Sequence, residues 1–197
     1  MKVLTSASEI RASIKDLQPT RIAVGYIGLG WRNYVSEESL KEIVVSPRLG
    51  SNPAAIRALM KKLGDDHVYL LEKLHSKIYL GASKAVLGSC NLSDNGFSDG
   101  GLLESAVELD DKKMRSALAD KFDEYKKEAQ QDFPTHQAKL NRLEILEVEY
   151  AKAKKAGLLG TTEGLSIKKF ELGSKRIHIV GMKVEIREQM MTMFAST

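Results

Sequence analysis

Five residues of this chain have the types and spacing to do chemistry together: His75, Lys77, Ser89, Asn91 and Glu104. Between Leu74 and Leu80, the residues Leu74, Ser76, Ile78 and Leu80 alternate with His75, Lys77 and Tyr79. In a strand, that period of two sets His75 and Lys77 on one face, roughly 6 to 7 Å apart. An imidazole held there is a nucleophile near neutral pH, and the neighbouring ammonium neutralises phosphoryl oxygens, so the pair suits attack on phosphorus. Gly88-Ser89-Cys90-Asn91 adds a hydroxyl, amide donors and a glycine that lets the backbone approach an anion. Glu104 could accept the proton of the far imidazole nitrogen, which fixes the tautomer and frees the other nitrogen to attack. The set calls for no metal or other cofactor, and the sequence has no Asp/Glu cluster of the two-metal kind. Alone, His-x-Lys on a strand or Gly-Ser-x-Asn at a turn is usually structural. The combination carries the assignment.

The elements that must position these residues follow an α/β pattern. The N-terminal segment to Leu17 reads as an amphipathic helix, and residues 20–30 as a buried strand ending in glycines. Ser36 to Lys41 looks like a short capped helix, with Glu37 and Glu38 in its first turn. A strand at Ile43 to Ser46 ends at Pro47, and Asn52-Pro53 starts a helix that Gly64 stops. Val68 to Leu71, Leu74 to Leu80, Ser83 to Gly88 and Leu102 to Leu109 read as strands, with a loop over 93–101. The last of these strands would hold Glu104, with Glu108 on the same face as a second candidate for its role. Met114, Leu118, Phe122 and Tyr125 then recur at helical spacing until Pro134, and a further helix runs from Thr135 to about Ala156. Short alternating runs after residue 166 suggest two or three strands or a hairpin. Tyr26 and Trp31 are placed to line the cleft or to join the core. His67, His136 and His178 are scattered and read as surface residues.

Composition sets the frame. The 197 residues are 28% charged and 43% hydrophobic, enough for one well-buried domain. No stretch approaches the 18 or more apolar residues of a membrane span, and the N-terminus does not read as a secretory leader. Cys90 is the single cysteine, which rules out an intrachain disulfide and a cysteine-based zinc site. The expectation is a cytoplasmic protein with no membrane partner. Lys152 to Glu188 carries nine Lys or Arg against four Glu, a net of +5 in a chain whose total is +4. A basic end on a neutral body suits a nucleic-acid contact, as it equally suits a solvated face.

His75-Ser76-Lys77, then Gly88-Ser89-Cys90-Asn91 and a downstream acidic residue, resembles the phospholipase D superfamily signature. The likeness is greatest to its small single-motif nucleases and restriction endonucleases. It is strongest over residues 75–104 and extends weakly back to residue 20; residues 111–197 resemble nothing specific. The resemblance implies an α/β fold, a phospholipase D-like mixed sheet flanked by helices, with a helical and short-strand C-terminal extension. It implies a catalytic domain over 1–134, with 135–197 a helix plus a small basic strand unit, either separate or packed on the same domain. By the same resemblance His75 is the nucleophile, Lys77 and Asn91 hold the phosphate, Ser89 is the motif serine, and Glu104 supports the histidine.

One motif copy implies a homodimer in which two His75 residues share a cleft. The implied activity is metal-independent phosphodiester cleavage through a phosphohistidine, with nucleic acid as partner and DNA ahead of RNA. Full-length members carry an aspartate five positions after the motif lysine, where this chain has Ala82, and that departure weakens the match to lipases more than to nucleases. Asn91 to Glu104 is also a long spacing, with the glycine-rich stretch 95–101 between them. The alternatives are a nucleic-acid binder that has lost its chemistry, or a hydrolase of another phosphodiester.

Overall fold

A computed structural model of the chain describes residues 1–157 and the backbone of 177–179 and 182–184. It divides into two compact units, Met1–Ser166 and Ile167–Thr197. In the second, strands β8 (Ile177–Ile179) and β9 (Met182–Val184) pair antiparallel. Most of the basic C-terminal stretch lies outside the described residues.

The first unit is built on seven strands: β1 (Lys2–Leu4), β2 (Arg21–Val24), β3 (Glu42–Val45), β4 (Val68–Leu70), β5 (Lys77–Leu80), β6 (Ala85–Gly88) and β7 (Ala106–Leu109). They form one mixed sheet in the order β1-β7-β6-β5-β2-β3-β4. Strands β2, β3 and β4 run parallel, and the other pairings are antiparallel. Among the described residues five α-helices accompany them: α1 (Ala7–Leu17), α2 (Pro53–Leu63), the short α3 (Asp94–Phe97), α4 (Lys112–Asp132) and α5 (His136–Lys155).

Both faces of the sheet are covered, so the central strands are apolar on both sides. Ile22, Val24, Ile43, Val45, Tyr79 and Val86 point into a core shared with Ile10 and Ile14 of α1, Ile56 and Leu59 of α2, and Leu143 and Leu146 of α5. Their strand neighbours Ala23, Val44, Ile78, Leu80 and Ala85 pack on the opposite side with Phe122 and Ala129 of α4. The period of two thus assigns each strand residue to one of two cores. Caps set the helix starts. Ser6 and Asn52 accept backbone N–H groups at the heads of α1 and α2, and Asp111 and Thr135 do so for α4 and α5.

Several sequence expectations shift. The segment 36–41 forms turns and no helix. Its i to i+4 bond from Leu40 N–H to Ser36 O is not propagated, because the next two N–H groups, of Lys41 and Glu42, both go to Thr20 O as the chain enters β3. Residues 2–4 pair with β7 ahead of α1, and 94–97 form one helical turn inside the expected loop. Strand β5 starts at Lys77, not Leu74, and β7 at Ala106, not Leu102.

Candidate active site at one end of the sheet

Antiparallel pairing decides which strand ends meet. Val24 at the end of β2 pairs with Lys77 at the start of β5, and Gly88 at the end of β6 pairs with Ala106 at the start of β7. The segments just beyond these pairs, 25–28, 74–76, 89–92 and 102–105, therefore gather at one end of the sheet. All five chemistry-bearing residues lie on or beside them.

His75 precedes β5. The ladder stops at Val24 and Lys77 because the next N–H on the β2 side, that of Tyr26, goes 2.9 Å to Asn91 Oδ1 and leaves β5 without a partner. His75 is exposed, and its imidazole has no hydrogen bond to another described residue. Lys77 is the reverse case, 4% exposed. Its Nζ donates to the His75 carbonyl, which turns the ammonium back toward the histidine segment. Burial pulls the Lys77 pKa below the usual lysine value, while the charge of Glu104 pushes the other way.

Asn91 lends its side-chain oxygen to Tyr26 N–H, so its amide N–H groups are what it can offer a ligand. Gly25 sets the distance between the two halves of the motif. A Cβ placed there would lie 3.2 Å from Asn91 Oδ1 and 3.5 Å from His75 Cα. The next strand end is tied in as well, by Leu92 N–H to Tyr26 O (3.2 Å) and Gly28 N–H to Leu92 O (2.9 Å).

Ser89 is knitted to the segment before β7. Its N–H donates to Ser105 O at 3.0 Å, and its Oγ accepts from Ser105 N–H at 3.0 Å. The same hydroxyl donates to the Glu104 carboxylate. Glu104 is thus held on Ser89, within electrostatic reach of Lys77, and not on the imidazole. Glu108 is engaged elsewhere, accepting from Ser13 Oγ at 2.7 Å and pairing with Lys84 at 3.2 Å. Cys90 is buried, and burial with the nearby Glu104 charge pushes its thiol up to about 12. A thiol so held stays protonated and is a poor nucleophile.

Trp31 is wholly buried in the core, and Tyr26 is half-buried against Gly50. His67 lies ahead of β4 and His136 pairs with Asp65; both are exposed at the far end of the sheet, because β4 runs parallel to β3 and β2. The His178 side chain lies outside the described residues. The residues the motif did not mark are Gly25 and Tyr26. Their signal was the glycine closing an apolar run, which marks a turn without saying what approaches it. Among the described residues no group of three or more His, Cys, Asp or Glu is placed to hold a metal ion. No described helix is long and apolar enough to cross a membrane.

No protein-family model matches the chain, and no curated protein does. Solved structures do. NucT from Helicobacter pylori superposes with a TM-score of 0.50 at 17% identity, over 63% of this chain and 93% of that one. The fold is a phospholipase D-like one, a mixed sheet flanked by helices. Nuc from Salmonella typhimurium, a phospholipase D family member, gives 0.47 at 15% identity over 63% and 93% of the two chains. TrmBL2, an archaeal chromatin protein with a novel mode of DNA binding, gives 0.38 at 16% identity over 63% and 50%.

Proposed function

We propose that this chain is a nuclease, a phosphodiesterase acting on DNA in preference to RNA by double displacement at a site completed by a second copy. What carries the reading is the meeting of an exposed imidazole, a buried ammonium, an oriented amide and a hydroxyl–carboxylate pair at the ends of four neighbouring strands. Holding a lysine at 4% exposure costs stability, and an anion bound there would offset that cost.

In the first step a His75 nitrogen attacks phosphorus and forms a P–N bond. The P–O bond to the leaving group breaks, and that oxygen takes a proton from the imidazolium of His75 of the partner subunit. In the second, water attacks phosphorus and gives its proton to the now neutral imidazole of the partner's His75. The P–N bond breaks, leaving a phosphomonoester and restoring both histidines. Lys77 and the Asn91 amide hold the non-bridging oxygens, where charge builds up in both transition states. Glu104 supports the imidazole, through Ser89 or by turning from it once substrate is bound. The proposed catalytic domain is 1–134, with the basic stretch within 135–197 holding the nucleic-acid backbone, so binding weakens as salt rises. The proposed setting is the cytoplasm, without a membrane partner.

The test is cleavage of supercoiled plasmid in excess EDTA by wild type and His75→Ala. EDTA-resistant cutting that is lost in the variant is the expected result. A folded wild-type protein that binds DNA without cutting it would replace this reading with a binder that has lost its chemistry. Cleavage of a lipid-headgroup phosphodiester but not of DNA would move the substrate class.

A further inference from the structure

The end of the sheet away from His75 carries a second concentration of charge. Strand β2 begins at Arg21, which pairs with Leu80 at the end of β5. This end is therefore a strand length, roughly 10 Å, from Val24 and Lys77. Residues of β2, of α4 and of the turn after β5 line a cavity of about 280 Å³ here. Four of its lining side chains are cations, Arg21, Lys84, Lys112 and Arg115, with the hydroxyl of Ser116 beside them. No Asp or Glu lines it.

The four cations are not equivalent. Lys84 is paired with Asp16 and Glu108 from outside the cavity, and Arg21 lies 3.6 Å from Asp123 and over the Phe122 ring. Lys112 is exposed, Arg115 is half-buried, and neither forms an ion pair with a described carboxylate. Arg115 Nη1 donates to Ala82 O at 2.9 Å, which ties the guanidinium to the turn. Its Nε is buried and has no partner among the described residues. Nε and Nη2 form the edge by which a guanidinium grips two oxygens at once, so the tie through Nη1 leaves that edge unused. A buried donor without an acceptor is an exception in a folded protein and costs stability. The backbone adds to the imbalance. Helix α4 opens on Lys112, Lys113 and Arg115 with no acid in its first turn, and only the cap Asp111, accepting from Met114 N–H at 2.9 Å, opposes them. Cations placed there work against the positive end of the helix dipole, and a bound anion reverses the sign of that interaction.

We propose that this cavity is a second anion site, which binds a phosphate group through Lys112 and the free edge of Arg115. Arg21 and Lys84 supply the surrounding positive field, and Ser116 Oγ a further donor. A tetrahedral oxyanion suits the set, because its oxygens can meet donors that arrive from the turn side and from α4 together. The site binds and does no chemistry, and it stands apart from His75, so it holds whether or not the chain is a nuclease. The group is carried either by a small phosphate ligand or by a nucleic-acid strand, and the chemistry that recognises it is the same.

The experiment is an NMR titration of the isotope-labelled full chain with inorganic phosphate at constant ionic strength, read at the amides of Gly81, Ala82, Arg115 and Ser116. The expected result is saturable shifts at these amides in wild type. Lys112→Glu should raise the dissociation constant read there about 10-fold or more, and Arg115→Lys, which keeps the charge but removes the fork, several-fold. The amides of 89–91 report the candidate active site and should respond alike in all three proteins. Lys112→Glu should hold or raise the melting midpoint, since Lys112 is exposed and a carboxylate suits the first turn, so its weaker binding is not a failure to fold. A short DNA oligonucleotide then replaces phosphate, with His75→Ala as the protein so that the strand stays whole. Shifts at the same four amides identify a nucleic-acid phosphate as the occupant, and shifts confined to 89–91 identify a small phosphate ligand. The proposal is overturned if the four amides show no saturable shift, or if chloride at the same ionic strength reproduces it. It is equally overturned if both variants keep the wild-type constant. None of these outcomes depends on cleavage, so the proposal and the nuclease reading fail separately.

Discussion

Lys77 and Lys84 stand at the two ends of the same sheet and are treated oppositely. Lys84 sits ahead of β6, half-buried, on two carboxylates: Asp16 at 3.0 Å and Glu108 at 3.2 Å. Those partners raise its pKa. Lys77 opens β5 at the other end, almost fully buried, with a backbone carbonyl as its hydrogen-bond partner and a pKa lowered by burial. The charge of Lys84 is already matched by these two carboxylates. The charge of Lys77 is held at a cost, which on the proposed reading an incoming anion offsets.

The contrast can be broken most sharply at His75. His75→Ala should lower cleavage by about 10³-fold or more, because no other described nucleophile faces the phosphate. Its melting midpoint should match wild type, since the side chain is exposed and makes no hydrogen bond to another described residue. A fall in the midpoint of several degrees would make His75 structural.

Lys77→Met should cost about 10²- to 10³-fold in activity through loss of charge stabilisation, and should hold or raise stability. The sign of the pH dependence follows from the lowered pKa. Below the folded value Lys77 is charged in both states and burial penalises the native one. The penalty fades as pH rises through the folded value toward the ordinary 10.5. The gain in midpoint from Lys77→Met should therefore be largest near neutrality and shrink in alkaline buffer. A constant difference across pH would remove burial of charge as its cause.

Gly25→Ala should act between these extremes. Its Cβ at 3.2 Å from Asn91 Oδ1 forces a shift of a few tenths of an ångström in the residue proposed to hold the phosphate. An activity loss of about 10-fold, with kcat falling more than KM rises, is expected. Unchanged kinetics would mean that Asn91 yields freely and is not positioned by β2.

Glu108→Gln probes the Lys84 end, where the smallest effect is expected. Cleavage should be unchanged, and the midpoint should fall by roughly 2–4 °C from loss of one good hydrogen-bonded carboxylate. Ser13 and Lys84 lower the Glu108 pKa, so its stabilisation is present above the unfolded value and vanishes as pH falls through the folded one. The variant's acid unfolding limb should be correspondingly shallower. Loss of cutting in this variant would mean the two ends are coupled.

The apolar runs with period two and the helix spacing from Met114 to Tyr125 made the α/β class readable from the sequence. So did the Asn52-Pro53 start and the Pro134 stop, because these are local signals. The segment 36–41 misled for the opposite reason. Its helical propensity is genuine, but Thr20 O claims the backbone that would have propagated it. Likewise His75 and Glu104 read as strand residues by alternation, and each lies two positions outside its strand because the neighbouring ladder ends first. Nothing local to either residue announces where a partner strand stops.

The residue types and spacing of His75, Lys77, Ser89, Asn91 and Glu104 determined by themselves what chemistry this chain could attempt, since nucleophilicity, charge and donor capacity belong to the side chains. What only the tertiary structure decided was their mutual placement. It set the burial of Lys77, the commitment of Asn91 to Tyr26, the tie between Glu104 and Ser89, and the engagement of Glu108 far away. Those follow from which strand ends the antiparallel pairing brings together, and pairing across a sheet is a long-range outcome that no short window of sequence contains.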